Sequence, residues 1–129
     1  MNVLDASTAV NALIPGALRV RAIDAVSAQE LIAPALIDSE VASALARLER
    51  AGQLTAAQAE AALDVWSALD VERVELPRLL SQAWSLRDRV RLTDGLYVAL
   101  ARTLECPLLT SDARLARAGI PGLDIRLLA

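Results

Sequence analysis

The stretch Val3-Leu4-Asp5-Ala6-Ser7 predicts how this chain folds, because a short apolar strand ends in it at a carboxylate and a helix follows at once. Val3 and Leu4 begin the predicted strand, and Ser7 is a residue type that commonly caps a helix, here one over residues 8–13. Short apolar strands that alternate with helices are typical of an α/β sandwich with a mostly parallel sheet. Asp5 is then expected at the carboxyl end of the first strand.

The rest of the chain repeats this alternation. Strands are predicted over residues 31–33, 71–76, 108–110 and 125–127, and helices over residues 19–28, 35–51, 55–69, 77–88, 93–104 and 111–119. Thr55 and Thr93 are the predicted helix caps, Gly52 is a helix stop, and Pro77 suits a first helical turn. At 129 residues and 55% hydrophobic content, we expect one domain over residues 1–129.

Composition excludes several kinds of chemistry. The chain has no histidine, so Ser-His-Asp catalysis, Cys-His catalysis and imidazole zinc sites are excluded. All 13 basic residues are arginine, which removes Schiff-base chemistry and the lysine of a phosphate-binding loop. The single cysteine, Cys106, permits no internal disulfide and is expected to be a buried, inert thiol. Any acid–base or metal chemistry must therefore rest on carboxylates.

Net charge and hydropathy limit the partners. A formal charge of -3 argues against a simple basic surface for nucleic acid, although cations held by acidic residues can supply positive charge locally in a nuclease. No apolar stretch approaches the ~20 residues that cross a bilayer, so no membrane association is expected. The N-terminus lacks the basic segment of a secretory signal, and a cytoplasmic location is expected.

Four of the sixteen acidic residues occupy unusual positions. Asp5 and Asp112 each follow a predicted strand, and the carboxyl ends of parallel strands are where open α/β sheets place their ligand crevice. Glu40 lies four residues before Ala44, on or beside the apolar stripe of its helix, and Asp94 lies in the first turn of an apolar helix.

Each of these carboxylates also has a structural interpretation. Asp5 suits a strand-end turn, Asp112 suits a helix cap, and Asp94 complements a helix dipole. Glu40 is able to reach solvent or to pair with an arginine. Together, with no lysine or histidine to neutralise them, they imply either arginine partners or bound cations, and hard oxygen ligands suit Mg²⁺ or Mn²⁺.

Four motifs contain the acidic positions: Val3 to Ser7, Ala33-Pro34 with Leu36 to Leu45, Leu92 to Ala101, and Leu108 to Leu115. They resemble those of the PIN-domain ribonucleases, especially the VapC-type toxins of prokaryotic toxin–antitoxin pairs. Their order and spacing cover nearly the whole chain. One departure is Gly95, which stands where alanine is more usual in the family.

The resemblance implies a three-layer α/β/α domain with a short, mostly parallel sheet. It implies that Asp5, Asp94 and Asp112 bind the metal, that Glu40 is a further ligand or orients the attacking water, and that Ser7 and Thr110 support them. The implied activity is Mg²⁺- or Mn²⁺-dependent endonucleolytic hydrolysis of RNA by an activated water. The implied partners are an RNA substrate, a cognate VapB-type antitoxin that blocks the acidic site, and a second copy in a homodimer.

Other interpretations remain open from the residues alone. A phosphatase-like or receiver-like domain also uses an aspartate after its first strand, but such domains normally need a lysine near the site. A non-catalytic interaction module is the other alternative. Five arginines flank the last two motifs and would contact phosphates or form a solvated face: Arg87, Arg89, Arg91, Arg114 and Arg117. Three aromatics are expected in the core or at an interface rather than stacked on bases: Trp66, Trp84 and Tyr97.

Overall fold

Five short strands of the computed structural model, which describes residues 1–129, pair in parallel as one sheet. They are β1 (Asn2–Leu4), β2 (Leu31–Pro34), β3 (Val71–Val74), β4 (Leu108–Thr110) and β5 (Ile125–Leu127). The strand order is β3-β2-β1-β4-β5, with Val3 opposite Ile32 on one side and Leu108 on the other. The predicted parallel α/β architecture is confirmed.

Helices cover both faces of the sheet. They are α1 (Ala6–Leu13), α2 (Arg19–Ala28), α3 (Ile37–Arg50), α4 (Ala56–Ala68), α5 (Leu80–Ser85), α6 (Leu92–Leu104) and α7 (Ala113–Ala116). Helices α1 to α4 pack on one another, whereas α6 packs on α5 and the central strands. Because parallel crossovers are right-handed, the reversal of strand order after β3 places these two groups on opposite faces. None of these helices has both the length and the apolar character needed to span a membrane.

The central strand β1 anchors the core. Val3 and Leu4 are fully buried, and residues 95–101 of α6 are buried against the sheet. From β1 the chain adds β2 and β3 on one side of the sheet, and it then adds β4 and β5 on the other side of β1. The direction of strand order therefore switches between β1 and β4. A crevice is expected outside the carboxyl ends of the strands at such a switch point.

Helix starts agree only in part with the sequence predictions. Thr55 caps α4, as predicted, and does so through a reciprocal capping box with Gln58. Ser7 is not a cap, because α1 begins one residue after Asp5 and the Ser7 hydroxyl donates to the Asp5 carboxylate instead. Thr93 is not a cap either, because α6 begins at Leu92 and its N-cap, Arg91, makes no side-chain capping bond.

Several other boundaries differ from prediction. The strand predicted over residues 71–76 ends at Val74, and the helix predicted over residues 77–88 is replaced by a 3-10 turn (Leu76–Arg78), α5 and further turns. Pro77, which cannot donate a ladder hydrogen bond, lies in that 3-10 turn and explains the end of the strand. Two predicted helices are shorter in the structure. Of residues 35–51, only α3 (Ile37–Arg50) is helical, and of residues 111–119, only α7 (Ala113–Ala116) is helical.

The tryptophans divide between core and surface. Trp66 is buried, and its Nε1 donates to Asp38 at 2.9 Å, while the Arg73 guanidinium lies 5.3 Å from the Trp66 ring and donates to the same carboxylate at 2.8 Å. This network joins α4, the first turn of α3 and β3. Trp84 is 59% exposed, so it is not in the core, and a place at an interface stays a prediction. Cys106 is half-buried rather than buried, and burial raises the pKa of its thiol.

Gly95 lies where α6 passes closest to α5. A Cβ built on it would lie 3.2 Å from the Ala83 carbonyl oxygen, which is tighter than ordinary van der Waals contact. Glycine costs about 0.5–1 kcal/mol relative to alanine inside a helix. Gly95 therefore lowers the helix propensity of α6 but allows α5 and α6 to pack closely beside Asp94.

The two threonines at helix starts provide a matched test of the capping assignment. Thr55→Ala removes the reciprocal cap of α4 and is expected to lower the free energy of unfolding by about 1 kcal/mol. Thr93→Ala removes a side chain with no capping bond and is expected to change it by less than about 0.5 kcal/mol. Urea unfolding measures both, and equal losses would contradict the assignment.

Candidate functional site

A cleft of about 620 Å³ opens at the switch point between β1 and β4. It is lined by 15 residues from the ends of the strands and from the helices that follow them. All four carboxylates singled out from the sequence are among them: Asp5, Glu40, Asp94 and Asp112. The structure therefore brings the four to one cleft from positions far apart in sequence.

Asp5 is the most buried of the four, with 7% of its surface exposed. The hydroxyls of Ser7 and Thr110 both donate to its Oδ2, each at 2.7 Å. Neither hydroxyl donates to Oδ1. The carboxylate is thus oriented through one oxygen, and the other is available to a further ligand.

Ser7 and Thr110 also connect this carboxylate to the chain beyond β4. The Thr110 hydroxyl accepts a bond from the Asp112 backbone N–H at 3.0 Å, and the Ser7 hydroxyl accepts one from the Ser111 N–H at 2.9 Å. Each hydroxyl therefore donates to Asp5 and accepts from the loop that carries Asp112. The supporting role that the resemblance implies for Ser7 and Thr110 stays a prediction, and these contacts place both hydroxyls beside Asp5.

Glu40 is oriented by a residue whose hydroxyl the sequence analysis overlooked. The Tyr97 hydroxyl donates to Glu40 Oε1 at 2.5 Å, and Tyr97 is 1% exposed. Burial and this carboxylate raise the pKa of the tyrosine, so it remains a proton donor. Tyr97 is in the core, as expected, but its position three residues after Asp94 is the only sequence signal that its polar end faces the site.

Asp94 and Asp112 each contact an arginine close in sequence. Arg91 Nε lies 3.2 Å from an Asp94 oxygen, and an Arg114 nitrogen lies 3.3 Å from an Asp112 oxygen. Asp112 also accepts from the Arg114 and Leu115 backbone N–H groups, so it is the cap of α7 as well as a cleft residue. The arginine side chains are 62% and 63% exposed.

The carboxylates differ in electrostatic environment. Burial raises the pKa of Asp5, and the charge of Asp94 raises it further although the two hydroxyls oppose the shift. Burial also raises the pKa of Glu40, with added repulsion from Asp5 and Asp94. For Asp112, burial is outweighed by hydrogen bonds from Arg114 and Leu115, which lower its pKa. Asp5, Glu40 and Asp94 therefore form a mutually repelling group, and Asp112 lies at its edge with its own partners.

The donor chemistry of the cleft fits a hard divalent cation, but the side chains are not arranged around one. No three Asp, Glu or Cys side chains lie close enough together to hold one ion. Asp94 and Asp112 are directed to Arg91 and Arg114, and exposed ion pairs of this kind contribute only about 0–1 kcal/mol. Their rearrangement around a cation would cost little, and the cation would relieve the repulsion among the buried carboxylates.

Comparison with known proteins points to one family. The family described as the PIN domain matches residues 3–121. Ribonuclease VapC3 from Mycobacterium tuberculosis is 50% identical over 117 residues, which cover 90% of this chain and 85% of that protein.

Two solved structures share the fold. The crystal structure of VapC20 from Mycobacterium tuberculosis, described as a sarcin–ricin loop cleaving toxin, has a TM-score of 0.70 at 16% identity, covering 96% of this chain and 99% of that one. VapBC2 from Rickettsia felis, solved with a promoter DNA fragment, has a TM-score of 0.68 at 14% identity and covers 99% of this chain and 98% of that one. The three-layer α/β/α fold expected from the sequence is confirmed.

The opposite pKa shifts of Asp5 and Asp112 predict opposite effects of removing their charges. A carboxyl group whose pKa is raised by folding binds its proton more tightly in the folded state than in the unfolded state. It therefore stabilises the fold at pH values below its unfolded pKa, which is near 4, and this stabilisation is lost as the pH rises through the folded pKa. In EDTA, Asp5→Asn is therefore expected to be more stable than the wild type at pH 7, with a gap that narrows towards pH 4.

Asp112→Asn is the matched control. The pKa of Asp112 is lowered by folding, so the ionised carboxylate stabilises the fold at pH values above its unfolded pKa. This stabilisation is lost as the pH falls below about 4 and through the folded pKa. The variant is expected to be less stable than the wild type at pH 7 and to approach it in acid. Urea unfolding across this pH range measures both, and shifts of the same sign would contradict the electrostatic description.

Proposed function

This chain belongs to the PIN-domain family, and from that premise we propose that it is a divalent-metal-dependent endoribonuclease. The observation that carries the proposal is that Asp5, Glu40 and Asp94 lie in one cleft of a chain that has no lysine or histidine. Burial and the charge of Asp94 raise the pKa of both Asp5 and Glu40, so their ionised forms are destabilised. A bound cation would offset this repulsion.

Asp5, Asp94 and Asp112 are the proposed metal ligands, with Glu40 as a further ligand or as the group that orients the attacking water. Asp5 is held by two hydroxyls and presents its Oδ1. Asp94 and Asp112 become available when Arg91 and Arg114 turn towards solvent or substrate. Bound Mg²⁺ or Mn²⁺ would lower the pKa of a water molecule and offset the charge that develops on the phosphoryl oxygens.

The chain's own residues contribute orientation and proton transfer. Tyr97 holds Glu40 Oε1, which leaves Oε2 to accept a hydrogen bond from a water. Burial raises the pKa of Glu40 in the direction of neutral pH, and a carboxylate with a higher pKa is a stronger base. Attack by water on the phosphorus would form a new P–O bond and break the bond to the leaving ribose oxygen, while the water would give its proton to Glu40 and the leaving oxygen would take one from solvent. The RNA 2'-hydroxyl need not be the nucleophile.

The proposal extends to the partners. VapC3 is named as a ribonuclease, and VapBC2 is a pair that was solved together on promoter DNA. We propose that this chain is likewise the toxin of a type II pair, that it forms a homodimer, and that a cognate VapB-type antitoxin blocks the cleft. The end of the cleft away from the acids offers an apolar surface between α1 and α3 for such a segment, lined by Val10, Ile14, Ala44 and Leu48.

RNA cleavage tests the activity directly. The purified protein is expected to cleave structured RNAs with Mg²⁺ or Mn²⁺ and to lose this activity in EDTA. Asp5→Asn is expected to reduce cleavage by at least about 100-fold and to abolish the rise in melting temperature that Mn²⁺ causes in the wild type. Asp24→Asn, on the exposed surface of α2, is the matched control and should behave as the wild type. Equal cleavage by Asp5→Asn, or cleavage unaffected by EDTA, would refute the assignment.

The contact between Tyr97 and Glu40 predicts a positioning role. Tyr97→Phe removes the hydroxyl without removing the ring from the core, and groups that orient ligands typically affect metal affinity or activity by roughly 10- to 100-fold. We expect kcat to fall within that range while KM for RNA changes little. Glu40→Gln provides the comparison, and combining the two substitutions should add little to Glu40→Gln alone. Additive losses would show that Tyr97 acts independently of Glu40.

A further inference from the structure

A second cleft of about 560 Å³ lies beside the acidic site, and arginine is its main constituent. Its arginines come from two separate segments, the connection between α5 and α6, and the short helix α7 with the residue that follows it. They are Arg87, Arg89, Arg91, Arg114 and Arg117, against two aspartates, Asp88 and Asp94. Five of the 13 arginines are thus gathered in one groove of a protein whose net charge is -3. We define this surface as the arginine groove.

The arginine groove is continuous with the acidic cleft. Arg91 and Asp94 line both of them. Arg91 and Arg114 contact the site carboxylates Asp94 and Asp112, so they mark the boundary between the negative and positive surfaces. A chain of phosphates whose reacting member lay among the carboxylates would pass directly into the groove.

The remaining three arginines are not neutralised by a carboxylate contact. None of Arg87, Arg89 and Arg117 takes part in the ion pairs of the structure, which involve other arginines. Arg87 is held over the exposed Trp84 ring at 4.6 Å and donates to the Trp84 carbonyl, so its guanidinium is already oriented. Arg89 is within 3.5 Å of the Gly119 carbonyl oxygen. These exposed cations are available to an anionic ligand.

We infer that the arginine groove binds backbone phosphates of the RNA next to the scissile bond, an inference that rests on the proposed ribonuclease function. Guanidinium groups bind phosphate oxygens in a fork geometry and contribute most of the affinity of nucleic-acid complexes without reading sequence. Half of the residues that line the groove are arginines, and its hydrophobic residues are Val90, Leu115 and Ala118. The groove therefore contributes to RNA affinity through phosphate contacts and directs the RNA backbone across the site.

The test uses Arg89 and Arg117, because neither contacts a site carboxylate. The probe is a fluorescein-labelled, mixed-sequence single-stranded RNA of about a dozen nucleotides, and binding to the full chain is measured in EDTA as a function of salt. The double variant Arg89→Ala/Arg117→Ala is expected to bind roughly tenfold more weakly, and the slope of log Kd against log salt should fall by roughly 0.7 for each phosphate that the protein no longer neutralises. In the cleavage assay with metal, KM should rise and kcat should be retained.

The matched control removes the same charge elsewhere. Arg19→Ala/Arg78→Ala changes two exposed arginines that line neither cleft and should leave Kd, slope and KM near the wild-type values. Equal effects of both double variants would overturn the inference, because the groove would then act only through net charge. Competition by polyglutamate as effective as that by RNA would also overturn it, because the groove would then recognise any polyanion.

The experiment separates this inference from the proposed function. If the wild type cleaves RNA but Arg89→Ala/Arg117→Ala binds with unchanged Kd and salt slope, the groove inference alone fails. If no RNA is cleaved under any metal condition, the proposed activity fails, while the binding comparison in EDTA still decides whether the groove holds RNA phosphates.

Discussion

The site depends on how a carboxylate is kept at the buried end of the central strand. An ionised Asp5 at this depth would be costly without partners, and two hydroxyls supply them through a single oxygen. The Thr110 hydroxyl, which donates to Asp5, also accepts from the backbone N–H of Asp112 itself, whereas the Ser7 hydroxyl accepts from the neighbouring Ser111 N–H. Parallel pairing of β1 with β4 brings these groups together, and the hydroxyl fixes their separation. Glu40 and Asp94 reach the same cleft from α3 and α6, where they contact Tyr97 and Arg91.

The sequence predicts well those features that depend on the alternation of strands and helices, and poorly those that depend on which side chains contact one another. Asp5 and Asp112 could be placed at one sheet edge because each follows an apolar strand, and the helical stripe placed Glu40 beside the core. The bond from Tyr97 to Glu40 joins residues 57 positions apart, and periodicity indicates a face without naming the group opposite it. The residue type of Ser7 predicts a cap, but a nearby buried carboxylate is a stronger acceptor for its hydroxyl.

Near the site, acidic and basic side chains lie on two adjacent surfaces, the acidic cleft and the arginine groove. An overall negative charge argues against nucleic-acid binding, yet five of the 13 arginines lie beside the acidic cleft, on the connection before α6 and on or just after α7. The sequence shows that these arginines flank two motifs, and the fold brings the two segments into one groove. The ion pairs of Arg91 and Arg114 lie where the two surfaces meet, and their exposure makes them easily exchanged for phosphate or cation contacts.

The contact between Gly95 and α5 limits how this protein can be made more robust. Replacing a helical glycine by alanine is a standard route to higher thermal stability, with a gain of up to about 1 kcal/mol. Here the added methyl would lie 3.2 Å from the Ala83 carbonyl oxygen, so α5 and the first turn of α6, which carries Asp94, would have to separate by a few tenths of an ångström. A substitution at this position that raises the melting temperature would therefore be expected to lower the catalytic rate. Stabilising substitutions are better made at exposed positions of α2 and α4, which lie outside the acidic cleft.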